Sequence, residues 1–389
     1  MIKDDFLSGI FYSVPNLRFP NFCTPWKIIP ISNLLQFQNG INGSPEQYGK
    51  GVKFISVGDI LNNIYITYDN IKGLIDIDEK TLNNYSVTYG DILFQRSSEI
   101  INDIGRTNVY LYKNNIATFG GFVIRGKRIG QYNPVFFNYL LKSPTSRKSI
   151  IRLGAGAQHY NIGQENIKTL NFCFPDEIEQ AKIACLFSKI DERIQIQIKI
   201  IKDLKMQRDH LIHSVFSSMN SKLLLITDIA EVYQPQTISS EKFDEGAEFP
   251  VFGANGIIGH YEKYNHENEQ ICIACRGSSV GTINISKKKS WITGNSMVIN
   301  SDNYDDMIDK KFLYYQLMFI DFYKYISGSG QPQITRESLK NLKIKVPSLA
   351  IQHSISNFLN HIDLKITIEA ELLCQYQLQK SYLLKNMFI

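Results

Sequence analysis

Three places in this 389-residue chain have residue types that could carry chemistry. Cys272 and Cys275 form one Cys-x-x-Cys pair, half the ligand set of a tetrahedral zinc site. No second pair accompanies them, and His159, His260, His266 and His353 show no metal spacing. The pair lies in an apolar, strand-like run and reads as two buried thiols. The stretch from Gly43 to Lys50 resembles a phosphate loop, but five residues separate Gly43 from Gly49, and Gly51 stands where that loop needs Ser or Thr. Gly154-x-Gly156 and Gly328-x-Gly330 lack the third glycine of a nucleotide-binding turn and do not open a helix, so they read as structural turns. No Ser/His/Asp or Cys/His pairing can be traced, and the Asx-Pro-Pro-aromatic tetrad of amino-methyltransferases does not occur. The expectation is a chain with no catalytic constellation, no metal and no cofactor of its own.

The elements that would position any site are set out by an internal repeat. When the chain is laid on itself with Ile162–Leu170 on Ile334–Leu342, the same offset sets Pro175 on Pro347, Gln180 on Gln352, Asp191 on Asp363 and Phe216 on Phe388. Upstream, with other offsets, Ile92–Ser98 resembles Cys272–Ser278, setting Arg96 on Arg276, and Gly154–Gly156 resembles Gly328–Gly330. Each copy is a globular part followed by a periodic tail. The first tail carries Ile183, Phe187, Ile190, Ile194, Ile201, Leu204 and Leu211. The second carries Ile355, Leu359, Ile362, Ile366, Leu373, Tyr376 and Leu383, at the same heptad spacings. Gln197 and Arg208, then Glu369 and Lys380, interrupt the stripes at matching places and are candidates for fixing register. Each tail predicts a helix of about 40 residues, roughly 60 Å long at 1.5 Å per residue.

Such a narrow seam needs a partner. Either each tail packs on its own globular part, or the two tails pack on each other. The long return of the chain favours the second, as an antiparallel pair. The globular parts read as α+β, with strands at residues 51–60, 91–94, 109–112, 270–273 and 281–285 and helices near 135–141 and 311–319. Residues 1–172 are then an N-terminal segment with a first domain, 173–220 a first helix, 221–346 a second domain and 347–389 a second helix.

Composition bounds the partners. Apolar residues make up 43% and charged residues 20% of a globular chain with net charge +5. Residues 20–160 hold 15 basic and 9 acidic residues, whereas residues 222–346 hold 14 and 15, so the basic surplus sits in the first half. No apolar run is long enough to span a bilayer, Met1–Asp5 does not open a signal peptide, and six scattered Cys suggest reduced thiols in a cytoplasm.

In full length and order the chain resembles the specificity subunits of type I restriction–modification systems. Val14–Pro20 and Trp26-Lys27-Ile28 are similar to that family's opening of its first recognition domain. Gly90–Ser97, Phe249–Gly256 and Gly328–Ile334 are similar to its recurrent segments. Gly154–Asn161 is a looser copy of the last. The resemblance implies two target-recognition domains joined by two long antiparallel helices in a coiled-coil spacer. Each domain would read half of an asymmetric, bipartite target in double-stranded DNA. The helices would set the spacing and dock two methyltransferase subunits, which supply S-adenosylmethionine for adenine methylation. Restriction subunits using ATP and Mg would join them, and no membrane is involved.

On that reading the residues able to make paired hydrogen bonds to base edges are Arg96, Gln158, Asn161, Arg276, Gln331 and Gln333. Those suited to phosphate are Arg125, Lys127, Arg128, Arg147, Lys148 and Arg152, with Lys287, Lys288 and Lys289 in the second domain. The competing reading of the first set is turn or strand-end structure, and of the second a solvated surface. A competing function for the whole chain is a duplicated coiled-coil scaffold that binds protein rather than DNA.

Overall fold

A computed structural model describes residues 14–156, 159–277, 279–327 and 332–389. The chain divides into two compact units, residues 1–197 with 372–389, and residues 198–371.

The first unit runs β1 (Lys27–Pro30), β2 (Leu35–Asn39), β3 (Tyr48–Ile55), α1 (Val57–Asn62), β4 (Gly73–Ile75), α2 (Glu79–Asn84), β5 (Ile92–Gln95), β6 (Ser97–Ser98), β7 (Thr107–Val109), β8 (Thr118–Phe119), β9 (Val123–Arg128), α3 (Pro134–Lys142), α4 (Pro144–Ile151), β10 (Tyr160–Asn161), α5 (Gln164–Lys168) and β11 (Asn171–Phe174), and then enters the long helix α6 (Glu177–Ser218). An antiparallel sheet has the order β2-β9-β5-β7, and a smaller one the order β4-β3-β8 with β3 and β8 parallel. Strand β1 pairs with β11 and so closes the globular part just before α6.

The second unit repeats this. It runs β12 (Lys222–Leu225), β13 (Glu231–Tyr233), β14 (Phe249–Gly253), β15 (Gly256–Tyr261), β16 (Ile271–Ala274), β17 (Ile283–Ile285), β18 (Trp291–Ile292), β19 (Ser296–Asn300), α7 (Lys310–Phe319), α8 (Arg336–Leu339), β20 (Lys343–Val346) and the long helix α9 (Leu349–Asn386). Its sheets are β13-β19-β16-β17 and β15-β14-β18, the latter with β14 and β18 parallel, and β12 closes on β20. Strand by strand, the order and direction match those of the first unit.

The central strands explain the apolar runs in the sequence. Ile92 and Phe94 face the large core that holds Trp26, Phe136 and Phe187, while Leu93 between them faces a second core with Tyr110 and Phe119. A strand buried on both faces reads as a continuous apolar run rather than an alternation. In β16, Ile271 and Ile273 face one core and Cys272 the other. The run around residues 51–60 divides between β3 and α1. Ser56 and Asp59 form a capping box, in which the Asp59 carboxylate accepts from the Ser56 N–H at 2.8 Å and from its hydroxyl, and this starts a helix where the sequence suggested only strand and turn.

Helices α6 and α9 begin two residues beyond Pro175 and Pro347 and run 42 and 38 residues. The opening half of α6 belongs to the first unit and its closing half to the second; α9 does the reverse. Within each unit the opening half of one helix therefore lies beside the closing half of the other, as in an antiparallel pair. The residues of both apolar stripes are buried or half-buried. Met387 and Phe388 sit in the core of the first unit, with Phe388 against Trp26, Phe136 and Phe187. Phe216, its counterpart in the first copy of the repeat, sits in the core of the second unit against Phe312 and Phe319.

The polar interruptions of the stripes follow the same exchange. Lys380 donates to Asp191, whose other oxygen accepts from the Tyr139 hydroxyl at 2.6 Å. In the second unit Arg208 donates to Asp363 at 2.9 Å, and Tyr315 donates to the other oxygen at 2.7 Å. Gln180 receives the Asn133 N–H at 2.9 Å and donates to the Pro175 carbonyl, and Gln352 does the same with Asp309 and Pro347. A buried carboxylate must be paired and hydrogen-bonded to be tolerated. The equivalent networks therefore select one register for each pair of half-helices.

Candidate nucleic-acid interface

In each unit the stretch after the central strand meets a short hairpin from the glycine-containing segment. In the first, Ala155 and Asn161 exchange backbone hydrogen bonds of 3.0 and 2.8 Å and β10 pairs with β6, placing Asn161 opposite Ser97. The Ser97 hydroxyl donates to Asn161 Oδ1. In the second, Ser327 and Gln333 exchange the equivalent bonds at 2.9 and 3.0 Å, and Gln333 lies opposite Arg276. Gln158 and Gln331, expected to read bases, lie outside the described residues.

The register corrects one expectation. Asn161 and Gln333 are equivalent, so the residue equivalent to Arg276 is Ser97, and Arg96 corresponds to Cys275. The flanking bonds agree: the Ile162 N–H donates to the Arg96 carbonyl, and the Ile334 N–H to that of Cys275, both at 3.0 Å. A slip of one residue along an extended strand turns a side chain to the opposite face. Arg276 is exposed, whereas Arg96 is half-buried and donates to the Gly121 carbonyl at 3.2 Å. Of the residues expected to read bases, the fold brings together Arg276 with Gln333, while Asn161 meets Ser97 rather than Arg96.

The cationic set divides as well. Arg125 lies on β9 between β2 and β5 and is only 5% exposed. Its guanidinium donates to the Ser86 carbonyl and to Gln38 Oε1 and stacks on Phe119. Burial lowers its pKa, and the nearby Asp91 partly opposes this. Arg147 donates to the carbonyls of Asn102, Ile104 and Gly105 at 2.7–3.0 Å. Arg128 stacks on Tyr132 and donates to its carbonyl at 2.8 Å. Arg125 is thus a core residue, and the half-buried guanidiniums of Arg147 and Arg128 hold turns. Lys127, Lys148 and Arg152 are exposed, and the last two, four residues apart at the end of α4, share a face. Lys287, Lys288 and Lys289 are exposed on the connection from β17 to β18, where Lys289 takes a left-handed φ of 52°. Lys288 and Lys289 border a shallow cavity with Glu248 and Glu267, whose carboxylates offset part of their charge.

Cys272 and Cys275 are both buried, and burial pushes the Cys272 thiol up to about 12, far from a thiolate ligand or nucleophile. Among the described residues no three His, Cys, Asp or Glu side chains gather as a metal site, and no helix is long and apolar enough to cross a membrane.

The chain is thus two duplicated α+β domains, each packed with one half of both long helices. Residues 221–375 match the family model of the type I restriction modification DNA specificity domain. The putative type I restriction enzyme MjaX specificity subunit of Methanocaldococcus jannaschii is 24% identical over 88% of both chains. A putative type I specificity subunit of Mycoplasma genitalium is 24% identical over 84% of this chain and 94% of its own. The fold matches the crystal structure of the type I restriction–modification S subunit from M. genitalium, at 20% identity and a TM-score of 0.63, covering 97% of this chain and 99% of that one. Over most of its length the chain is similar to the specificity subunits of type I restriction–modification systems, and residues 221–375 carry that family's DNA specificity domain. Its role is that of a DNA-specificity subunit.

Proposed function

We propose that this chain reads DNA without chemistry of its own. Residues 1–172 and 221–346 form two recognition domains, each reading one half of an asymmetric, bipartite target in duplex DNA in the cytoplasm. The helices hold the unread spacer to a fixed length and dock two methyltransferase subunits. S-adenosylmethionine is supplied by those subunits, and ATP and Mg by restriction subunits where they join.

The observation that carries this reading is the duplication at the level of contacts. Each unit has the same sheets, the same hairpin beside the central strand, and the same carboxylate network to the other copy's helix. The helices also repeat their unpartnered surface. In the first unit Ile196 and Leu378 are 52% and 58% exposed, and in the second Ile368 and Met206 are 54% and 62% exposed. The offset of the repeat sets Ile196 on Ile368 and Met206 on Leu378, so each residue of one pair has its counterpart in the other. Two equivalent sets of exposed apolar side chains suit the docking of two copies of one subunit. Base reading falls to Asn161 with Ser97 and to Arg276 with Gln333, and phosphate contacts to Lys127, Lys148, Arg152 and Lys287–Lys289.

The test is an exchange of residues 222–337 for the same segment of a relative with another target, followed by methylation mapping with the methyltransferase subunits present. One half of the modified motif should change and the other stay. A change in both halves, or methyl transfer by the chain alone, overturns the proposal.

A further inference from the structure

We infer that the tip of one short turn is a base-reading position in each domain, filled by Phe122 in the first and Asn295 in the second; this rests on the DNA-reading function proposed above. The two turns are the same structure. The Val123 N–H donates to the Gly120 carbonyl at 2.8 Å, and the Ser296 N–H to that of Thr293 at 3.0 Å. The Phe122 carbonyl accepts from the Arg96 N–H at 2.8 Å, and the Asn295 carbonyl from the Cys275 N–H at 3.0 Å. The Gly121 carbonyl accepts from the Arg96 guanidinium, and that of Gly294 from the Cys275 thiol. Each turn is thereby bonded to the residue immediately before Ser97 or Arg276, at the mouth of the hairpin that carries Asn161 or Gln333.

Both turns are held close to the body of their domain. A Cβ on Gly121 would stand 2.1 Å from Asn42 Oδ1, and one on Gly294 2.5 Å from Thr237 Oγ1 and 2.9 Å from the Pro235 carbonyl oxygen, so both turns lie close against their neighbours. The residue that follows points away from this tight contact. Phe122 is 66% exposed, and Asn295 is exposed too. A large apolar ring displayed on a turn whose carbonyls at Gly120, Gly121 and Phe122 all accept hydrogen bonds loses little freedom on binding. Its chemistry suits the methyl group of a thymine or the face of a parted base step. Asn at the same tip suits paired hydrogen bonds to adenine. One scaffold position would thus read different bases in the two domains by a change of side chain alone.

The test uses the full chain assembled with its methyltransferase subunits and measures methylation rates on duplexes varied one base pair at a time. Phe122→Ala should flatten the preference at one position of the first half-site by roughly tenfold or more and leave the second half unchanged. Phe122→Leu, which keeps an apolar contact, should lose less, and Asn295→Ala should flatten one position of the second half only. If the wild-type assembly shows its bipartite preference and all three variants keep it within twofold, or if Phe122→Ala relaxes both halves together, the assignment of the turn is wrong. If the wild-type assembly shows no preference in either half, the DNA-reading function itself fails.

Discussion

Removing the ring of Phe388 should destabilise the first domain, from which it is separated by most of the chain. Phe388 is 4% exposed and packs on Trp26, Phe136 and Phe187 with ring centroids 6.5, 5.6 and 5.6 Å away. Truncating a buried Phe to Ala costs about 3–5 kcal/mol. With three aromatic neighbours around the ring, about 4 kcal/mol is expected. With an m-value of about 2 kcal/mol/M, the urea midpoint falls by about 2 M. The chain has two Trp residues, Trp26 in the first unit and Trp291 in the second, so each unit carries its own fluorescence reporter. In a Trp291→Phe background, Phe388→Ala should shift the Trp26 transition by this amount. In a Trp26→Phe background, Phe216→Ala should shift the Trp291 transition comparably, since Phe216 packs on Phe312 and Phe319. If Phe388→Ala left the Trp26 transition within about 0.5 M of its original midpoint (about 1 kcal/mol), or Phe216→Ala acted on Trp26 instead, the exchange of helix ends would be refuted.

The helix pair supplies a second test: Ile196→Asp with Leu378→Asp should reduce the methyltransferase subunits bound from two to one, by native mass spectrometry, and the further change of Ile368 and Met206 should abolish binding. Lys142, half-buried near Lys380, has its pKa lowered from 10.5 to about 8 by desolvation first and then by that cation. The unfolded chain then binds more protons between pH 8 and 10.5, so stability rises with pH across that window; Lys142→Met should flatten this rise in urea titrations. Replacing Lys287, Lys288 and Lys289 by Ala should reduce the slope of log affinity against log salt by up to about 2.7 if all three contact phosphate. Arg125→Leu should leave that slope unchanged while lowering stability, because its guanidinium is already buried and bonded.

The sequence by itself determined the duplication, the two long helices and the location of the core strands. These rest on periodicity: heptad spacing survives any tertiary context that buries one face, and one constant offset superposes Asp191 on Asp363 and Phe216 on Phe388 before any contact is known. Helix α1 is not legible in the sequence because its Ser56–Asp59 capping box lies inside a run whose apolar residues also suit a strand. What the tertiary structure decided was which residues are free to act. Arg125 and Lys127 stand two residues apart with similar chemistry, yet one is walled in by neighbouring strands and the other faces solvent. Arg96 and Arg276 align by local similarity, but register with the hairpin sets Ser97, not Arg96, in the place of Arg276. Phe122 and Asn295 share no residue type and so left no trace in the repeat; only the common hydrogen bonds of their turns make them equivalent. Periodicity is a property of one segment, whereas burial, register and the exchange of helix ends depend on partners far away in the chain.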